Sequence, residues 1–113
     1  MANSFVNAKV DLTSTDNTTL YTTPTANVAL VKSILVSNDS GSGCNLDVTL
    51  TDSSGNVFSL FKTQTIATNT TTELLRLPLV VEESEILKVQ ASDANELHVI
   101  ASILQIQPRE VTT

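Results

Sequence analysis

Val28-Ala29-Leu30-Val31-Lys32-Ser33-Ile34-Leu35-Val36-Ser37-Asn38 runs directly into Asp39-Ser40-Gly41-Ser42-Gly43. The first stretch has the period of two of a β-strand, rich in β-branched and aliphatic residues. Val28, Leu30, Ile34 and Val36 are expected on one face, with Lys32 interrupting. Ala29, Val31 and Leu35 make the other face apolar as well, which predicts a central strand. The second stretch is a turn: glycine supplies positive φ, and Asx side chains close local hydrogen bonds.

Working outward, the same grammar repeats. Leu46, Val48 and Leu50 alternate with Asn45, Asp47, Thr49 and Thr51. Asp52-Ser53-Ser54-Gly55-Asn56 predicts a hairpin with Gly55 left-handed, and Val57–Ile66 returns as its partner. Glu73–Leu79 reads as a strand that Pro78 confines to an edge or bend. Glu82-Glu83-Ser84-Glu85 is a charged turn. Ile86–Ala91 alternates, and β-branched enrichment favours a strand over a helix across Glu82–Gln90. Leu97–Ile106 is apolar on both faces and is expected inside a sheet, ended by Pro108. Upstream, Val6, Ala8, Val10 and Leu12 alternate with polar residues, and Thr19–Thr22 is a short strand stopped by Pro24.

The expected fold is all-β: one antiparallel sandwich of about eight strands over residues 1–113, jelly-roll or immunoglobulin-like. Loose ends are expected at 1–4 and 109–113. The core is assigned to Val28, Leu30, Ile34, Val36, Leu46, Val48, Leu50, Leu87, Val89, Val99, Ile100 and Ile103. The chain is 41% hydrophobic but only 4% aromatic, so aliphatic residues must fill that core.

Charge narrows the function classes. Only 16% of residues are charged, below the roughly 25% typical of soluble domains. Thr, Ser and Asn supply most of the polar surface, which suits packing against other protein. The net charge of -6 repels phosphate, and the basic residues Lys9, Lys32, Lys62, Arg76, Lys88 and Arg109 form no stripe, so no nucleic acid is expected. The apolar runs are too short to span a bilayer, so no membrane is expected either. The opening Met-Ala-Asn-Ser-Phe-Val lacks the basic and apolar regions of a signal peptide.

Catalytic chemistry finds few candidates. His98 is the single imidazole, read as a sheet histidine, and Cys44 is read as a small, partly buried residue. Asp39 and Asp52 sit in loops whose spacing departs from a calcium loop and matches turn chemistry. No glycine-rich phosphate cradle, nucleophile elbow or metal-ligand spacing is present. No enzyme, cofactor or metal is expected.

Two phrases carry a resemblance. Thr18-Thr19-Leu20-Tyr21-Thr22-Thr23-Pro24, followed by Ala29–Asn38, resembles small virion structural proteins of tailed bacteriophages. The later Leu77–Glu82 and Leu87–Ser92 are similar to the closing part of that family. The resemblance covers about residues 18–106, with Glu82–Glu85 standing where a glycine turn is common. It implies a sandwich located in the virion that binds copies of itself and the major capsid or other virion proteins. A capsid decoration or cement role leads; a neck, tail or fibre component is the alternative, and a carbohydrate-binding module is a further one. The expected contact residues are Asn3, Ser4, Phe5 and Arg109.

Overall fold

The computed structural model describes residues 2–107. Nine strands follow in order: β1 Ala2–Leu12, β2 Thr18–Thr22, β3 Val28–Asn38, β4 Cys44–Thr51, β5 Val57–Ile66, β6 Thr70–Glu73, β7 Leu79–Val81, β8 Ile86–Ala91 and β9 Leu97–Gln107. No helix occurs among the described residues. Residues 2–4 are paired from Ala2 onward against β9, whereas the sequence led us to expect a loose end at 1–4. The other expected loose end, 109–113, lies outside the described residues.

The strands form two antiparallel sheets. Sheet I has the order β1-β9-β3-β6, with β7 pairing the other end of the same β3 edge; sheet II has the order β2-β8-β4-β5. The pairs β4–β5, β3–β6/β7, β2–β8 and β1–β9 are nested like the two arms of one long hairpin. Successive lanes of that hairpin alternate between the sheets. A ribbon rolled in this way is a jelly roll, one of the two architectures expected.

The core lies between the sheets and is aliphatic. Val31, Ile34, Val36, Leu46, Val48, Ile66, Val81, Leu87, Val89, Leu97 and Val99 have no measurable exposure. Each such side chain contributes roughly 1.5–3 kcal/mol by leaving water. Tyr21 is buried, and Phe61 packs against the core.

Two expectations fail for identifiable reasons. In β3 the buried residues are Ala29 and Val31, then Ile34 and Val36, while Val28 and Leu30 turn outward and are half-buried. The register against β9 shifts between Val31 and Ser33. This bulge at Lys32 inserts one residue and reverses the alternation. A strictly periodic strand would have driven the Lys32 ammonium into the core; the bulge keeps it exposed. Ile100 also faces outward, and Leu50 is half-buried against the core.

The second failure is the strand expected at Glu73–Leu79. Residues 74–78 leave the ladder and separate two short strands, β6 and β7, which share only Glu73 and Leu79 with the expected segment and make nine strands in place of eight. Pro78 cannot donate to the ladder. The Glu73 carboxylate bridges the gap: it accepts hydrogen bonds from the Ile34 N–H (2.9 Å), the Leu75 N–H (3.0 Å) and the Ser33 hydroxyl. Partial burial works to raise this carboxyl, yet those three bonds outweigh it and hold it below its ordinary 4.5.

Turn chemistry fixes the corners. Asn38 is buried and fully engaged. Its Nδ2 donates to Ser42 O and Ile66 O, while its Oδ1 accepts from the Ser40 N–H and hydroxyl. The Asp52 Oδ1 accepts from the N–H groups of Ser54 and Asn56 at 2.9 Å. The Asn56 bond leads in holding the Asp52 carboxyl below its ordinary value. Gly55 is left-handed, with φ 88°, as the turn requires. Tyr21 Oη donates to Gln105 Oε1 at 2.6 Å, tying β2 of sheet II to β9 of sheet I. Burial pushes the Tyr21 phenol up, opposed by the Thr23 side chain.

Candidate functional site

The residues that point away from the core differ sharply between the sheets. In sheet I the ladder aligns Phe5 of β1 with Leu104 of β9, Leu104 with Leu30 of β3, and Leu30 with Val80 of β7. Opposed residues in an antiparallel sheet share a face. Their neighbours along each strand (Val6, Ile103, Val31, Val81) point inward. The row Phe5–Leu104–Leu30–Val80 is therefore an apolar band across four strands on the outer face. Phe5 is 82% exposed and Val80 54%.

Further rows extend it. Asn3, Ile106 and Val28 align beside the band, and Lys9, Ile100, Leu35 and Glu73 align on its other side. Between the band and this mixed row lies one of small polar residues, Asn7, Ser102 and Ser33. The short side chains of Asn7 and Ser102 leave a hollow of about 440 Å³, bordered by Phe5 and Lys32.

Sheet II presents the opposite character. Thr19, Lys88, Thr49 and Ser59 align across all four of its strands, and Asp47 lies opposite Gln90. Apolar members, Ile86 and Val57, occur only toward the Asp52–Asn56 hairpin. A hollow of about 330 Å³ on this side is lined mainly by Thr15, Asn45, Asp47, Thr63, Gln90 and Ser92. Scattered exposed apolar residues need no explanation, but an apolar band confined to the outer face of one sheet is a feature that sets the two sheets apart.

The structure sorts the residues expected at contacts. Asn3 and Phe5 sit on the outer face of sheet I; Ser4 pairs with Gln105 and turns the other way. Arg109 lies outside the described residues. Leu104, Leu30 and Val80 were missed. Their signal was the apolarity of both faces of β3 and β9, which burial between neighbouring strands does not by itself demand.

The chemical candidates stay apart. His98 is half-buried on the outer face of sheet I, with Nε2 3.6 Å from Asp11 Oδ1 and 3.9 Å from Asp39 Oδ2. Neither distance is a hydrogen bond. Cys44 is buried at the start of β4 in sheet II, its Sγ 3.5 Å from Ser92 Oγ. The thiol is buried, whereas the imidazole lies on the outer face of sheet I. Sequence spacing gave no hint that Cys44, Asp93 and Glu96 bring donor atoms within 4.8 Å of one another. The turn between β3 and β4, which Cys44 follows, and the turn between β8 and β9 have no relation in sequence that would reveal it.

A scan against protein-family models finds no match, and a search of curated proteins finds no relative. The fold and its asymmetric faces define a class: a jelly-roll sandwich with an apolar band across the outer face of one sheet.

Proposed function

We propose that this chain is a non-enzymatic structural subunit of a bacteriophage virion, a decoration or cement protein that binds coat subunits in many copies. The observation that carries the reading is the band Phe5–Leu104–Leu30–Val80, on a face that a free-standing sandwich would leave polar. The resemblance of residues 18–106 to small phage virion proteins supplies the setting. Adhesion needs buried surface and no reacting group, and modest contacts repeated by particle symmetry gain strength through multivalency. The hollow beside Phe5 offers a socket for a side chain of the coat subunit. Sheet II, rich in hydroxyls, then faces solvent. A sugar-binding role is less well supported: the exposed Phe5 and Phe58 lie on different sheets, so they form no common stacking platform.

Quantitative mass spectrometry of purified virions that carry the gene tests the reading. On the order of hundreds of copies per particle is expected for decoration of a symmetric shell. About a dozen would instead indicate the neck or tail, and absence from the particle would overturn the proposal. Phe5→Asp and Val80→Asp should each abolish rebinding to particles stripped of the protein while leaving the melting transition intact.

A further inference from the structure

An open sheet ends in strands whose outward N–H and C=O groups lack partners, and such edges join other chains unless something spoils them. Three of the four edges here are spoiled. β2 shifts register between Thr19 and Tyr21. β5 is irregular against β4 at two places and carries Thr63 in the left-handed region. The β6/β7 edge is broken by residues 74–78, with Pro78 among them. β1 is different. Its register with β9 is unbroken from Ala2↔Gln107 to Leu12↔Leu97, it contains no proline, and β9 is its one ladder neighbour among the described residues.

We propose that β1 pairs with β1 of a second copy, antiparallel about a two-fold axis through Asn7, joining two copies of sheet I into one continuous sheet. This rests on reading the outer face of sheet I as adhesive, and names the partner that extends it. The axis at Asn7 engages the whole strand; any other symmetric register leaves one end unpaired. It sets Phe5 opposite Lys9 of the second copy and Asn3 opposite Asp11 of the second copy. Lys9 and Asp11 are the charged residues of β1, so no like charges meet. The Lys9 stem can lie over the Phe5 ring with its ammonium against the ring face, and the Asn3 amide can donate to the Asp11 carboxylate. The apolar band also continues: Val80, Leu30, Leu104 and Phe5 run on, through Lys9, into Ile100 and Leu35 of the second copy. A self-complementary edge of this kind closes as a dimer and does not propagate.

Sedimentation equilibrium of the full chain should give twice the 12.1 kDa of one copy. A monomer at concentrations up to about 100 µM would overturn the proposal. Asn7→Cys should cross-link to itself on oxidation, because residues on the axis lie within disulfide range. Asn3→Cys alone should not, whereas an equimolar mixture of Asn3→Cys and Asp11→Cys should. Self-linking of Asn3→Cys, or none by Asn7→Cys, would overturn the register. The native Cys44 is buried and stays out of this chemistry. Asn7→Lys places two ammonium groups on the axis and should weaken dimerisation at least about tenfold, while the melting temperature measured at concentrations where both proteins are monomeric stays the same, since Asn7 is exposed in the single copy. A dimer indifferent to Asn7→Lys would overturn the choice of edge. A monomer that still binds particles sinks this inference alone. A dimer absent from particles sinks the virion reading alone.

Discussion

Replacing Glu73 with Gln tests the device that holds sheet I together where its edge strand is broken. The carboxylate accepts three hydrogen bonds, two of them from backbone N–H groups at the β3 bulge and in the following loop. Glutamine can keep its oxygen on the two backbone N–H groups and donate its amide to the Ser33 hydroxyl, so what the substitution removes is the negative charge that strengthens these bonds. Hydrogen bonds to a charged acceptor contribute roughly 1.5–3 kcal/mol when well shielded. Glu73 is exposed, so solvent screening reduces the net loss to about 1–2 kcal/mol. At this chain length that is a fall of roughly 4–8 °C in Tm. The pH dependence is the sharper test. The folded carboxyl sits below its ordinary 4.5, so its stabilisation is fully present above that value and is lost as pH falls through the folded pKa. The gap between wild type and Glu73→Gln, measured by thermal or urea unfolding, should be constant from about pH 7 to pH 5 and should close in more acidic solution. A gap that persists unchanged to about pH 3, or no gap at neutral pH, would refute the bridging role.

Two further perturbations probe other parts of the argument. Val48, fully buried in β4, should not tolerate Asp: an unpaired buried carboxylate costs more than about 5 kcal/mol, comparable to a whole domain's stability, so soluble expression should fail. A normal melting transition for Val48→Asp would disprove the core assignment. Thr63, a β-branched residue at φ 54°, should be improved by Asn, which tolerates the left-handed region. Thr63→Asn should gain about 0.5–1 kcal/mol in urea unfolding, because the Thr63 N–H bond to Asp47 is a backbone bond and survives; a loss of stability would show that the hydroxyl matters more than the strain.

The strands were legible because a period of two survives in almost every segment, and because the Asn38–Gly43 and Asp52–Asn56 turns carry explicit chemistry. The phase of β3 was not. A bulge adds a residue without altering composition, so Val28 and Leu30 looked as buried as Ala29 and Val31. Nothing in Glu73 itself announces that its side chain stands in for a ladder, since that depends on where β3 lies beside it. For the candidate site, Asn3, Ser4 and Phe5 were reached from their position near the N-terminus, and two of the three share the apolar face. The rest of the band required the pairing register: Leu104, Leu30 and Val80 are far apart in sequence and become neighbours only once β9, β3 and β7 are set side by side.

The nested pairing has a consequence for how the chain is threaded and cut. β4–β5 closes over a short hairpin, while each lane outside it joins segments progressively farther apart, ending with Ala2 opposite Gln107. Closing distant pairs costs entropy before contacts repay it, so assembly should start at the hairpin and finish at the outermost lane. The same adjacency makes the molecule a natural subject for circular permutation. A short peptide joining β9 back to β1, with new termini opened at the exposed Ser53–Gly55 tip, would turn the most remote pairing into a local one and shift the folding nucleus to the opposite end of the ribbon.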